Sequence, residues 1–191
     1  ISWWAGSPSL SNKLVYPFFL RTRGTSTSNG ENVVKLCSYY NWKDIGFIYE
    51  EQSFHIGVYE GARSMAQQES VDITGFKLFH FPDIPDIETA TWKAELQQTR
   101  NTGLRVFGVS VAGPAGKNQI ALEVAREVGL HETLLIAALE LADFFPSHPS
   151  ELRMSYNGML GIDYSQSGQN SESDLFEQAW RAMDFDQMTS L

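Results

Sequence analysis

The chain has 191 residues, a formal charge of -9 and 42% hydrophobic residues, among them five Trp, twelve Phe and seven Tyr. That apolar content supports a packed core and excludes disorder as the default state. The acidic balance, with no stripe of Lys and Arg, excludes nucleic acid as a partner, because phosphate neutralisation needs clustered cations. No apolar run approaches the ~20 residues that cross a bilayer.

Residues 1 to 30 contain Gly6, Pro8, Ser9, Ser11 and a polar run from Arg23 to Gly30, which reads as connection rather than packed core. Val33, Leu36, Cys37 and Tyr40 then recur at helical spacing. Cys37 is thus expected to be a small buried apolar residue, and a lone cysteine closes no internal disulfide. Ile45 to Tyr49, Phe76 to Phe81, Val106 to Val111 and Leu134 to Leu139 are short apolar runs of strand type. Their centres recur about every 30 residues, the length of a strand, a helix and their connections.

Between these runs, Val58, Ala62, Met65 and Ala66, then Trp92 and Leu96, then Ile120, Val124 and Val128 each fall on one helical face. Strands apolar on both faces and separated by amphipathic helices predict an α/β fold, a doubly wound parallel sheet between helix layers. After Leu139, Pro146 and Pro149 mark a break, Met159 to Tyr164 is strand-like, and Ser165 to Ser173 is a polar linker. Ser171 and Asp174 then form a capping box that opens a helix whose apolar face is Phe176, Ala179, Trp180 and Met183.

Several chemistries fail on spacing. Gly113, Gly116 and Lys117 stand between a strand and a helix, as in a phosphate-binding loop. That motif needs glycine where Val111 stands and Ser or Thr where Asn118 stands. His55, His80, His131 and His148 show no metal-ligand spacing, and no Gly-x-Ser-x-Gly nucleophile signature occurs. Glu50 and Glu51 end a strand and read as a solvated rim. No enzyme activity, cofactor or metal is expected.

Three runs carry a family resemblance: Ser7-Pro8-Ser9-Leu10-Ser11-Asn12, Pro17-Phe18-Phe19-Leu20-Arg21-Thr22, and Val34-Lys35-Leu36 leading into Asn41-Trp42-Lys43-Asp44-Ile45. The chain resembles the extracellular ligand-binding module of metabotropic GABA receptors (GABA-B type), within the class C G-protein-coupled receptor family. The likeness is densest before about residue 85 and continues as element order beyond it. It implies a type I periplasmic-binding-protein-like fold with two α/β lobes and a ligand in the cleft between them. Residues 1–22 would then be a stub of the first lobe, 23–155 the second lobe, and 156–191 the return crossing. The opening on Ile1, without a signal-peptide pattern, fits a piece of a longer protein. The implied partners are a small carboxylate-bearing or amino-acid-like ligand, a second receptor subunit, and a G protein reached through a membrane domain. The implied location is the extracellular side of the cell membrane. A soluble solute-binding protein serving a transporter is the alternative with the same fold.

Such a fold places its ligand at the carboxyl ends of the parallel strands. The expected ligand-binding residues are Gly6, Ser7, Arg23, Tyr49, Glu51, Val111 and Glu140. Gly6 stands where the family has a carboxylate-binding serine, and it keeps a backbone N–H and permits close approach. Arg23 stands where the family has a histidine, and its permanent bidentate charge makes it an anion anchor. Val111, and Ala138 or Leu139, replace the two aromatics that sandwich the agonist. Ser26 stands where glutamate-type relatives carry an amine-binding aspartate. These departures imply either a ligand other than GABA or a subunit that binds no agonist.

Overall fold

The computed structural model describes residues 5–21, 24–78, 85–111, 117–138 and 158–162, with the backbone alone for 85–89 and 117–120. Five strands, β1 (Asp44–Glu50), β2 (Asp72–Leu78), β3 (Val106–Ser110), β4 (Leu134–Ala137) and β5 (Leu160–Gly161), form one sheet in the order β2-β1-β3-β4-β5. Every neighbouring pair runs parallel. Among the described residues four α-helices accompany them: α1 (Thr27–Tyr39), α2 (Ser53–Glu69), α3 (Pro85–Asn101) and α4 (Lys117–Glu127).

Side chains alternate across the sheet with the two-residue strand period, and each face buries against its own helix pair. Ile48, Phe107, Val109 and Leu135 pack with Trp92 and Leu96 of α3 and with Leu122, Val124 and Ala125 of α4. Ile45, Phe47, Val106 and Ile136 pack on the opposite face with Val33, Val34 and Cys37 of α1 and with Val58, Ala62 and Ala66 of α2. The doubly wound α/β arrangement follows from strands buried on both sides, and all five residues of β3 are buried. Cys37 is fully buried, as its helical neighbours imply.

Three elements differ from the sequence reading. The polar run to Gly30 is not all connection, because α1 begins at Thr27 and Ser26, Asn29 and Gly30 are buried. The reason is steric: a Cβ at Gly30 would sit 1.9 Å from the carbonyl oxygen of Val58, so glycine there brings α1 against the backbone of α2. The second strand starts at Asp72 rather than Phe76 and its described part ends at Leu78. β2 is an edge strand, and its exposed Asp72, Thr74 and Lys77 need no apolar character, so the hydrophobic run marks only its second half. The strand expected over 159–164 is confined to Leu160–Gly161 among the described residues. The capping-box helix after Ser171 lies outside them.

Candidate functional site

The order of the strands reverses between β1 and β3. The chain leaves β1 for α2 on one face and leaves β3 for α4 on the other, and at such a reversal open α/β sheets form a ligand crevice outside the carboxyl ends of their strands. Glu50 and Glu51 stand at one lip and Ser110 and Val111 at the other, with Tyr49 and Ser110 in register.

The N-terminal segment arrives over this crevice. Pro8–Ser11 forms a 3-10 turn, and Ser26 N–H donates to the carbonyl of Gly6 at 2.8 Å. Arg21 ties the same segment down by donating to the carbonyls of Ser7 (2.9 Å) and Ala5 (3.4 Å), and it also contacts the Ser11 hydroxyl. The segments around Gly6 and around Ser26 both rest on the N-terminal end of α2. Ser26 Oγ donates to the carbonyl of Phe54 at 2.9 Å, and a Cβ at Gly6 would fall 2.8 Å from the Phe54 ring. Pro8 Cγ and Ser26 Oγ both come within 2.6 Å of the Cβ position at Gly57. Ser26 therefore joins the N-terminal segment to α2.

The expected ligand residues are placed as follows. Gly6 is buried and Ser7 half-buried, with Ser7 Oγ 2.8 Å from Ser9 Oγ. Tyr49 turns toward α2 and stacks on Tyr59 with centroids 4.4 Å apart and planes 6° from parallel. Burial, followed by the neighbouring Tyr59, raises its phenol above the ordinary range. Glu51 is exposed and pairs with Lys77 at 2.7 Å, a hydrogen bond that holds the ammonium charged to higher pH than usual. The Val111 side chain is 1% exposed and belongs to the apolar core on the α3 and α4 side. Gly6 and Ser7 meet the first turn of α2, whereas Tyr49 and Glu51 direct their side chains to α2 and β2. Arg23 and Glu140 lie outside the described residues.

The solvated-rim reading holds for Glu51 but not for Glu50. Glu50 is 0% exposed. Its Oε1 accepts from the Gln52 side-chain amide at 2.9 Å, and its Oε2 lies 3.9 Å from His55 Nε2. The other ring nitrogen, Nδ1, is 2.9 Å from Ser110 Oγ. His55 is 2% and Ser110 0% exposed. The Gln52 amide thus meets one oxygen of a carboxylate whose burial as a charge would cost on the order of several kcal/mol, and the His55 ring stands near the other beyond hydrogen-bond distance. The sequence held one signal for this cluster, polar residues at the ends of two otherwise apolar strands. Among the described residues no three His, Cys, Asp or Glu side chains gather to hold a metal ion, and no helix is long and apolar enough to cross a membrane.

A family profile described as "Receptor family ligand binding region" matches residues 1–190. The chain belongs to this receptor ligand-binding family. Two solved structures share the fold of this ligand-binding region. An extracellular ligand-binding receptor from Verminephrobacter eiseniae is 16% identical with a TM-score of 0.54, over 70% of this chain and 35% of its own. A periplasmic binding protein from Burkholderia mallei is 17% identical with a TM-score of 0.56, over 71% of this chain and 34% of its own. The ligand-binding region described here thus spans about a third of the length of these structures. No curated protein sequence matches it.

Proposed function

We propose that the chain is most of one lobe of a two-lobed sensor that closes on a small carboxylate-bearing ligand and passes the motion to a membrane domain, in the manner of GABA-B-type receptors. The observation that carries this reading is the crossing at Gly6, Ser7 and Ser26, seated on the first turn of α2 at the carboxyl edge of β1 and β3. In such a module residues 1–22 belong to the first lobe and 23–155 to the second. Residues 156–191 make the return once β5 has been added. The site comprises Gly6, Ser7 and Arg23 on the crossing, with Tyr49, Glu51, Val111 and Glu140 on or near the strand ends. A second subunit and a G protein are the proposed partners, at the extracellular face of the cell membrane.

A soluble solute-binding protein is the second reading, favoured by the bacterial periplasmic protein among the structural neighbours. The sequence of the complete protein separates the two, since a receptor carries seven apolar spans and a solute-binding protein none. Ligand binding tests the shared premise. Calorimetry with a panel of small carboxylates should find a ligand for the complete two-lobed protein. The 191-residue chain alone should bind the same ligand at least a thousandfold more weakly, because contacts worth ~4 kcal/mol come from the other lobe. Micromolar affinity of this chain alone for GABA or glutamate would refute the proposal.

A further inference from the structure

Residues 1–30 hold Lys13, Arg21 and Arg23 and no Asp or Glu, a cationic stretch in a chain of net charge -9. The same stretch displays the largest group of exposed apolar side chains among the described residues, Leu14, Val15, Tyr16, Phe18 and Leu20, with Leu14 96% and Phe18 91% exposed. Their backbone is nonetheless held. Val15 and Tyr16 N–H donate to the carbonyl of Asn12 at 3.2 and 2.8 Å, Phe19 N–H to that of Tyr16 at 3.2 Å, and the Lys13 ammonium to that of Phe19. A turn fixed by its own hydrogen bonds, with contiguous apolar side chains outward, is a contact face rather than a loose connection.

Residues 174–184, which lie outside the described residues, carry the complementary pattern in the sequence. Phe176, Ala179, Trp180 and Met183 recur on one helical face and Glu177 and Asp184 border that stripe. Glu172, Asp174 and Asp186 add to the acidity, against Arg181 alone between residues 172 and 186. We propose that residues 174–184 dock as a helix on the turn from Leu14 to Leu20, so that the C-terminal part of this chain covers its N-terminal segment. A helix this short is marginal in water without tertiary packing, so its stripe needs an apolar face.

The place where the chain leaves the sheet selects this face. β5 runs parallel to β4, and Ile162 N–H donates to the carbonyl of Ala137 at 3.0 Å. The chain therefore continues past the carboxyl edge, where Gly6 and Ser26 rest on α2. Ile162 itself packs on the α1 and α2 side. Three strand spacings separate β5 from β1, about 14 Å, and the linker from Ser165 to Ser173 can span up to ~30 Å. The other exposed aromatics, Tyr39 and Tyr40, stand before β1 at its amino end, across the sheet from that exit. Charge agrees with position, since the acidic segment meets the one stretch that has cations and no acids.

Hydrogen exchange read by mass spectrometry on the 191-residue chain tests the docking without a ligand. The amides of residues 174–184 should exchange about tenfold or more slower than in an unstructured peptide. Leu14→Asp combined with Phe18→Asp changes two side chains that are almost wholly exposed. It should remove most of that protection and leave the β1 and β3 amides as they are, whereas Tyr39→Asp should leave the protection in place. Carbodiimide, which joins an amine to a carboxylate in contact, should link Lys13 to Glu177 or Asp184 within one molecule. Peptide-like exchange of residues 174–184 in the native chain would overturn the proposal, as would protection untouched by the Leu14→Asp and Phe18→Asp pair. Protection that appears only together with a dimer in sedimentation would hand this face to a second copy and overturn it too. If the double variant does not fold, the Lys13 link in the native chain decides, and its absence overturns the docking. The inference does not rest on ligand sensing, so its failure leaves that reading intact.

Discussion

The ring of Phe107 lies across Gly46, its partner in the β1–β3 register, so closely that a Cβ at position 46 would sit 2.3 Å from Phe107 Cδ1. On the opposite face Phe47 covers Gly108 in the same way, with its ring 2.5 Å from the Cβ position. Each strand thus supplies the gap that its neighbour's ring fills, and both rings are 0% exposed. This interlock fixes β1 beside β3, and with them the strand ends that carry Glu50 and Ser110.

Gly46→Ala should therefore destabilise the fold. The added methyl group gains backbone rigidity worth roughly 0.5–1 kcal/mol over glycine, but overpacking against a buried ring costs about 1–3 kcal/mol. Urea denaturation should show a net loss of ~1–2 kcal/mol. Gly46→Ala combined with Phe107→Leu should lose less than the sum of the two single changes, since the smaller side chain relieves the overlap. Strict additivity would mean that the two positions are not in contact.

Cys37 provides a reporter for the opposite layer. It is fully buried in the α1 and α2 cluster, and burial pushes its thiol up to about 11. Only the thiolate attacks disulfide reagents. At pH 8 an ordinary cysteine is about a quarter ionised, whereas this one is ionised to roughly one part in a thousand. Reaction with an aromatic disulfide should be on the order of a hundredfold or more slower in the native chain than in urea. With a single cysteine in the sequence, the released chromophore counts one site. Equal rates in the two conditions would show that α1 does not stay packed.

The central sheet was legible because β1, β3 and β4 are buried on both faces and so read as uninterrupted apolar runs. β2 was legible only where Phe76 and Leu78 carry the pattern. Its first half sits at an edge, where polar side chains cost nothing. The start of α1 was hidden by turn-forming residues, Thr27 to Gly30, of which Gly30 is what the close contact with α2 requires. The candidate site was legible only as a set of carboxyl strand ends, since each strand of the repeat leads into a helix, while the reversal of strand order shows only in the fold. The chemistry of the site was not legible, because His55 and Ser110 are 55 residues apart and only the fold shows that they touch. Nothing local to Glu50 distinguishes it from the exposed Glu51 next to it.

Arg23 is the proposed anion anchor of the complete receptor. The chain on either side of it is held by hydrogen bonds, with Arg21 bound to the carbonyls of Ala5 and Ser7 and Ser26 bound to Gly6 and Phe54. Arg21 is thus committed to the backbone of this segment, whereas Arg23 stands where the family resemblance has a carboxylate-binding histidine. Removing a charge-assisted hydrogen bond from a desolvated cleft costs roughly 2–5 kcal/mol, and each ~1.4 kcal/mol is tenfold in affinity. Once a carboxylate agonist is in hand, Arg23→Ala in the full-length protein should reduce potency more than tenfold in a cell-based G-protein assay. Arg63→Ala, on the exposed side of α2, should leave it unchanged. Equal potency of wild type and Arg23→Ala would make Arg23 an ordinary residue of the crossing, and activation by cations or neutral compounds alone would remove the need for an anchor.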